Sequence, residues 1–230
     1  MDFSSEVILN IHSTSYKKFI VNKETKILSF IFLLFLTVGL IGLLSPMEAD
    51  IKKLSFYNLF LTFGLVTFSF KNELKKFGIS FLIVFSIGFI AELIGVHSGY
   101  IFGNYSYSNK LGISILDVPL IIGVNWAILS VGAWNLCKNI THSKSINILI
   151  ASLLMVLFDF CMEPTAIYLD FWKWDNQLIP LYNYVSWFFI SLPAIYFISK
   201  YQTISSGISK LVFCSQLLFF IILSSKTLWF

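Results

Sequence analysis

The sequence predicts an all-α polytopic membrane protein, a single bundle of about seven transmembrane helices. Hydrophobic residues make up 57% of the 230 residues and charged residues only 12%, about half the charged share of ordinary globular proteins. The mean hydropathy is +0.81, and apolar runs of roughly the 20 residues that cross a bilayer recur along the chain. The same composition argues against a disordered chain and against a nucleic-acid-binding domain. The surface of this protein is therefore expected to face lipid.

Seven apolar segments are candidate membrane spans. They lie at about 27–45, 54–70, 77–96, 118–137, 146–164, 182–199 and 208–224, and the second and seventh are short. Residues 1–26 are polar and too long for the first region of a signal peptide, so the first span is expected to be retained as an anchor. We accordingly divide the chain into a polar cytoplasmic N-terminal segment, 1–26, and a transmembrane bundle, 27–230.

The lysines predict the orientation of the bundle. If the spans alternate in direction, one side holds eleven lysines: Lys17, Lys18, Lys23, Lys26, Lys71, Lys75, Lys76, Lys138, Lys144, Lys200 and Lys210. The other side holds five: Lys52, Lys53, Lys110, Lys173 and Lys226. The positive-inside rule then places the N-terminus in the cytoplasm and the C-terminus outside, in a bacterial-type inner or plasma membrane.

Polar residues collect at the Lys-poor ends of four spans. The third and fifth spans run toward that side, and their acidic residues come near those ends. The fourth span starts there with an adjacent Asn-Trp pair, and the sixth span starts there with an Asn followed four residues later by a Trp. The residues concerned are Glu92, Asp159, Glu163, Asn125, Trp126, Asn183 and Trp187. Alternation alone thus predicts one polar site, near the non-cytoplasmic face.

The carboxyl groups within these spans are the strongest functional signal. An ionisable residue inside a membrane costs about 2.5–3.5 kcal/mol on insertion scales and indicates a functional site by default. Glu92 alone has an equally ordinary alternative, since a carboxyl near a helix end can reach headgroups or pair with a loop lysine. Asp159 and Glu163 are four residues apart and share a helix face. Their repulsion favours a protonated form of one of them, which could act as a general acid. Pro164 is expected to bend or end the helix directly after them.

The segment after the third span has two interpretations. Gly95, Gly99 and Gly103 follow the spacing of close helix packing. The stretch is nevertheless too polar for a lipid-facing helix, because it also contains His97 and several Tyr and Asn residues. A packed, re-entrant or capping segment over the polar site fits better. We expect His97 to be a structural hydrogen-bonding residue and not a base.

The remaining composition narrows the chemistry. The three His and three Cys residues are scattered, without the spacing of a metal site or a disulfide framework. A glycine-rich nucleotide loop is also absent from the sequence. Carboxyls, amides and aromatic side chains over an apolar cavity suit acid chemistry on a hydrocarbon, without a metal or other cofactor.

Four blocks of sequence, in order, resemble a known family. The run ELIGVHSGYIFGNYSY from Glu92 to Tyr107 resembles the first signature of the DUF422 carotenoid biosynthesis family, the carotenoid 1,2-hydratases of acyclic end groups. The later blocks are Asp117–Pro119 with Asn125–Trp126, DFCMEPTA at 159–166 with FWKW at 171–174, and IPLYNYVSWF at 179–188. The resemblance covers about residues 78–190. Asp117 and Ser186 stand where the family usually has Gly, which leaves the substrate open.

The resemblance implies hydration of the terminal C-1,2 double bond of an acyclic carotenoid. A carboxylic acid would protonate the alkene, and water would capture the tertiary cation to give a tertiary alcohol. Glu92, Asp159 and Glu163 are the carboxyl candidates. Asp159, deeper in the fifth span, is favoured as the acid, and the division of acid and base roles among the three is left open. Tyr105, Trp126 and Trp187 would present aromatic faces to the cation, and Asn125 and Asn183 would position water.

The substrate would come from the bilayer, and water would be the co-substrate. The sequence leaves open whether other carotenoid pathway enzymes are protein partners.

Two alternative functions remain. A carotenoid end-group cyclase begins with the same protonation but lets an internal alkene capture the cation. A non-enzymatic carotenoid-binding or transport protein needs no proton chemistry at all, although the sequence lacks the inverted repeats that many transporters show.

Overall fold

The computed structural model describes residues 3–175, 178–202 and 204–227, and within these ranges it is dominated by helices. The α-helices are α1 Phe3–Leu43, α2 Glu48–Lys52, α3 Ser55–Ser69, α4 Leu74–Ser98, α5 Leu120–Cys137, α6 Lys144–Tyr168, α7 Leu181–Tyr201 and α8 Gly207–Thr227. Four short strands are β1 Tyr105–Tyr107, β2 Ser114–Ile115, β3 Val118–Pro119 and β4 Trp172–Trp174. They form two antiparallel ribbons, β1 with β4 and β2 with β3.

The predicted all-α polytopic bundle is confirmed. Six helices in the described ranges are long and apolar enough to cross a membrane. The segment expected at 54–70 is the shorter apolar helix α3, whose 15 residues extend about 22 Å. The first span is Lys23–Leu43 within α1, so helix α1 also includes most of the N-terminal segment that we described only as polar.

Contacts at the two ends show that the helices alternate in direction. At one end, Lys71 pairs with Glu24 at 2.6 Å, and the Ser69 and Ser206 hydroxyls lie 2.7 Å apart. At the other end, the Lys52 ammonium donates to the Tyr168 carbonyl. There the Phe56 ring also packs against Gly112. Although it is short, helix α3 therefore extends from one end of the bundle to the other. The long helices that precede and follow it in the chain, α1 and α4, run antiparallel to it.

Helix α5 forms the centre of the bundle. Ala127, Leu129, Val131 and Ala133 are all fully buried on it, and it packs against α3, α4, α6, α7 and α8. Small residues permit this close approach, as is usual between helices in a bilayer. By contrast, α1 exposes large apolar side chains such as Phe30, which is 67% exposed. The polar residues at the start of α5 consequently lie in the interior.

The structure bears on two local expectations, the effect of Pro164 and the segment after the third span. Helix α6 does not end at Pro164 but continues to Tyr168. Proline lacks an amide hydrogen, so only one helical hydrogen bond is missing there. The segment with Gly95, Gly99 and Gly103 agrees with the capping interpretation that we favoured over helix packing, because α4 ends at Ser98. Gly99 and Gly103 have φ of +68° and +122°, values that favour glycine, and they turn the chain into the capping segment.

Candidate active site

One cavity of about 40 Å³ lies at the Lys-poor end of the bundle, where α4, α5, α6, α7 and the β1–β4 ribbon meet. All eight residues proposed from the sequence line it: Glu92, Tyr105, Asn125, Trp126, Asp159, Glu163, Asn183 and Trp187. A site of this size and polarity has room for about two or three water molecules. The structure therefore brings the predicted residues together, while their chemical roles stay predictions.

Glu92 has the most hydrogen-bond donors of the three carboxyls. Its Oε2 accepts from the Tyr105 hydroxyl at 2.6 Å and from the Tyr107 hydroxyl at 2.7 Å, and its Oε1 accepts from Trp126 Nε1 at 3.0 Å. The side chain is only 4% exposed. Three donors around a buried carboxyl stabilise its anionic form. Both carboxyl oxygens already accept hydrogen bonds, so Glu92 is poorly arranged to act as a metal ligand.

Asp159 and Glu163 lie one helical turn apart on the buried face of α6. Glu163 Oε2 accepts from Trp172 Nε1 at 3.0 Å and from Trp174 Nε1 at 2.9 Å. Asp159 Oδ2 accepts from Asn183 Nδ2 at 2.8 Å. The second oxygen of each carboxyl accepts no hydrogen bond from a described residue. One oxygen on each is therefore left for water or for a substrate.

Aromatic faces form much of the remaining wall. The Trp126 and Trp187 rings are stacked with their centroids 4.0 Å apart and their planes at 20°. Each ring comes from a different helix, α5 or α7, so the stack also joins these helices. The Asn125 side chain lines the cavity beside the stack. Electron-rich ring faces of this kind stabilise a nearby cation by about 0.5–2 kcal/mol.

The β1–β4 ribbon forms one wall of the cavity. Its register pairs Tyr105 with Trp174 and Tyr107 with Trp172, and the alternation of a strand directs these aromatic side chains to the same side. Outside the cavity, Asp170 accepts from Lys110 at 2.6 Å and pairs with Lys173 at 3.1 Å. These two lysines, Lys110 first, lower the pKa of Asp170. The ion pairs hold the two chain segments of the ribbon together.

Burial keeps the tyrosines of the ribbon protonated. Burial first, and then the Glu92 carboxylate, raises the pKa of the Tyr105 phenol. The same two causes raise the pKa of Tyr107. A phenol that resists ionisation remains a hydrogen-bond donor to Glu92 over a wide pH range.

Sequence reasoning left out three donors to the carboxyls. Tyr107, Trp172 and Trp174 fall in segments that we placed at the same end of the bundle as the site but did not assign to it. Their signal was the alternation of aromatic and polar residues in Tyr-Ser-Tyr and Trp-Lys-Trp, which is typical of a strand. His97 was correctly expected to be structural, since its Nδ1 lies 2.9 Å from the Leu93 carbonyl oxygen in an exposed position.

Two comparisons with known proteins gave a match. Residues 55–229 match the family described as carotenoid biosynthesis protein. The bisanhydrobacterioruberin hydratase of Haloarcula japonica is 26% identical over 166 residues, which cover 65% of this chain and 57% of that protein. The chain thus spans less than two thirds of the length of this relative. No solved structure matches the chain.

Proposed function

The chain belongs to the carotenoid biosynthesis protein family, and from this premise we propose that it is a hydratase of acyclic carotenoid end groups. In this proposal it adds water across the terminal C-1,2 double bond without a cofactor. The observation that carries the proposal is the buried cavity in which three carboxyls meet aromatic faces and room for water. The name of the Haloarcula japonica relative supports the same class of reaction.

Hydrogen bonding supports Asp159 as the proton donor. Glu92 accepts three hydrogen bonds and Glu163 two, all from Tyr or Trp, whereas Asp159 accepts one from an amide. The anion of Asp159 is therefore the least stabilised of the three. It also shares a helix face with Glu163, and two adjacent anions repel each other. Asp159 is thus the carboxyl best placed to carry a proton and give it to a substrate.

The proposed reaction needs two proton transfers. Asp159 gives its proton to the less substituted carbon of the terminal alkene, and the positive charge develops on the tertiary carbon beside the Trp126–Trp187 stack. A water molecule bonds to that carbon and loses a proton to Glu163. Asn125 and Asn183 orient the water, and Glu92 holds the ribbon in place. The products are a tertiary alcohol and, once Glu163 has lost the proton it took from water and Asp159 has regained one, the original enzyme.

The substrate of this proposal is a hydrocarbon dissolved in the bilayer. The helices expose apolar side chains to the membrane, including Ile90 and Ile94 on α4 and Val185 and Phe189 on α7, near the ends that carry the site. A carotenoid end group would enter between helices from the lipid, while water is the co-substrate.

A pigment assay tests the proposal. The chain is expressed in a bacterium engineered to make lycopene or gamma-carotene, and extracts are separated by liquid chromatography with mass detection. We expect a more polar product heavier by one water molecule. An isomer of unchanged mass with a ring-type absorption spectrum would instead establish a cyclase. Unchanged pigments with both substrates, at confirmed expression in the membrane, would count against hydration of these end groups and favour a carotenoid-binding protein.

A further inference from the structure

A second cavity lies toward the Lys-poor end of the bundle, between α1, α3, α8 and the segment that follows α6. Its volume is about 90 Å³, and its walls are mainly Leu and Phe side chains. Three polar side chains interrupt these walls: Ser55 and Asn58 on α3 and Gln216 on α8. We name this space the amide pocket. It shares no lining residue with the carboxyl cavity, which holds Glu92, Asp159 and Glu163.

Gln216 is the strongest sign that the amide pocket takes a ligand. Its side chain is only 7% exposed, and its Oε1 has no hydrogen-bond partner among the described residues. A buried amide without a partner is destabilising. Other buried amides of the bundle donate to a neighbouring helix: Asn135 to Ser209, Asn183 to Asp159 and Gln202 to Ser80. Gln216 differs from them because a cavity lies beside its side chain.

Asn58 and Ser55 bring two more hydrogen-bonding groups to the amide pocket. Within the described ranges, neither side chain forms a hydrogen bond, and both are half-buried. An amide has both donors and an acceptor, and a half-turn about its terminal bond exchanges the oxygen with the nitrogen. The three side chains can therefore donate to and accept from one small polar group. That group is expected to be neutral, because no charged side chain lines the pocket.

An apolar groove continues from the amide pocket toward the lipid. The groove has a volume of about 420 Å³, and we name it the lipid groove. Four residues line both spaces: Leu43, Ser55, Asn58 and Phe219. Farther out, the groove is lined by Phe35, Val38 and Tyr57, which are each more than half exposed. A hydrocarbon chain can therefore lie in the groove with one end in the bilayer and the other in the amide pocket.

We propose that these two connected spaces bind an isoprenoid alcohol, with its hydroxyl on Gln216 and Asn58 and its hydrocarbon chain in the lipid groove. A hydroxyl is neutral and both donates and accepts, so it satisfies the two amides. A phosphate or carboxylate head would meet no cation among the lining side chains. Apolar walls with a few convergent polar groups are typical of small-molecule sites.

The choice of a tertiary alcohol rests on the proposed function, because hydration of a terminal alkene gives that class of product. The two cavities also lie at the same end of the bundle. Phe171 lines the amide pocket, and the next residue, Trp172, lines the carboxyl cavity. A new hydroxyl group that leaves the carboxyl cavity is therefore close to the depth at which the amide pocket lies. In this role the amide pocket receives the hydroxylated end group after its release.

Photocrosslinking tests where such an alcohol binds. The probe is isophytol, an isoprenoid tertiary alcohol, that carries a diazirine near its hydroxyl carbon, and it is added to the purified full chain in detergent. Mass spectrometry of peptides after irradiation locates the label. We expect label on α3 and α8, near Asn58 and Gln216. Unlabelled isophytol should displace the probe, and the hydrocarbon phytane should do so about tenfold more weakly, because it forms no hydrogen bonds.

Substitution of the amides tests the hydrogen bonds. In Gln216→Leu/Asn58→Leu we expect the affinity for isophytol to fall about tenfold, with the affinity for phytane unchanged. Gln216→Leu alone gives the same comparison should the double variant fail to fold. Gln202→Leu is the matched control, because Gln202 is also buried, at 6% exposed, but lines neither the pocket nor the groove. Its affinity for isophytol should equal that of the wild type.

The outcomes separate this inference from the proposed function. Label confined to the peptides of the carboxyl cavity overturns the amide pocket as a binding site. Equal competition by isophytol and phytane overturns recognition of a hydroxyl and indicates a groove for lipid chains. Wild-type affinity in the double variant overturns the role of the two amides. If the wild type hydrates no carotenoid but labelling of α3 and α8 depends on Gln216, the amide pocket stands and the proposed function fails.

Discussion

At the scale of single residues, the three carboxyls of the cavity differ in their hydrogen-bond donors more than in their burial. Glu92, Asp159 and Glu163 are 4%, 1% and 3% exposed. Tyr and Trp donors surround the two glutamates, but Asp159 has only the Asn183 amide. Groups of the same chemical type can thus take the roles of acid, base and structural anchor in one small site.

Replacing the proposed acid should strongly reduce turnover without unfolding the protein. We expect Asp159→Asn to lower the hydration rate at least about 100-fold, since an amide cannot give its proton to an alkene. The initial rate of alcohol formation in membranes measures this loss. The control is Asp50→Asn, whose carboxyl is 76% exposed. An Asp159→Asn enzyme with a wild-type rate would remove Asp159 from the mechanism.

The ribbon tyrosines should make the fold sensitive to alkali. Burial raises the pKa of Tyr105 and Tyr107 above their ordinary value of about 10. Above that pH the unfolded chain releases these protons while the folded chain keeps them, so stability should fall as pH rises. Melting temperatures from about pH 8 to about pH 11 should fall less steeply for Tyr105→Phe/Tyr107→Phe.

Tyr100→Phe is the matched control for that titration, because Tyr100 is 89% exposed. The melting temperature of Tyr100→Phe should fall with rising pH as steeply as that of the wild type. Equal slopes for the double variant and the wild type would show that the ribbon tyrosines ionise normally.

At the scale of elements, the site depends on how closely α4 approaches α5. A Cβ on Gly88 would lie 2.4 Å from Cγ of Trp126. Only glycine therefore lets the indole lie against α4, where it donates to Glu92 and stacks on Trp187. A packing contact between two helices thus fixes the orientation of a site residue.

Two glycines of α4 offer a matched pair of substitutions. Gly88→Ala should displace the Trp126 ring, lower the melting temperature and reduce turnover. Gly78→Ala should be neutral or stabilising by up to about 1 kcal/mol, since a Cβ there meets nothing within 4 Å. Thermal unfolding and product formation measure both. Similar behaviour of the two variants would argue against a role of the α4–α5 contact in the site.

At the scale of the whole molecule, the bundle places the site at one end. The distribution of lysines predicts which face of the membrane that end reaches. The lysine distribution predicts a cytoplasmic N-terminus, with the cavity toward the opposite face. Alkaline phosphatase fused after Ser114 should be active, and the same fusion after Asn139 should be inactive. The reverse pattern would invert the orientation without moving the site relative to the helices.

The sequence by itself determined the fold class and eight of the residues that share the cavity. Helical period and alternating direction are local rules, and they suffice to bring Glu92, Asp159 and Asn183 to one depth. Only the tertiary structure decided the β1–β4 ribbon, because it pairs Tyr105 with Trp174 across 69 positions (174 minus 105). It also decided which donors reach each carboxyl, and that α6 continues past Pro164. Such contacts depend on the packing of several distant segments, which periodicity within one segment cannot specify.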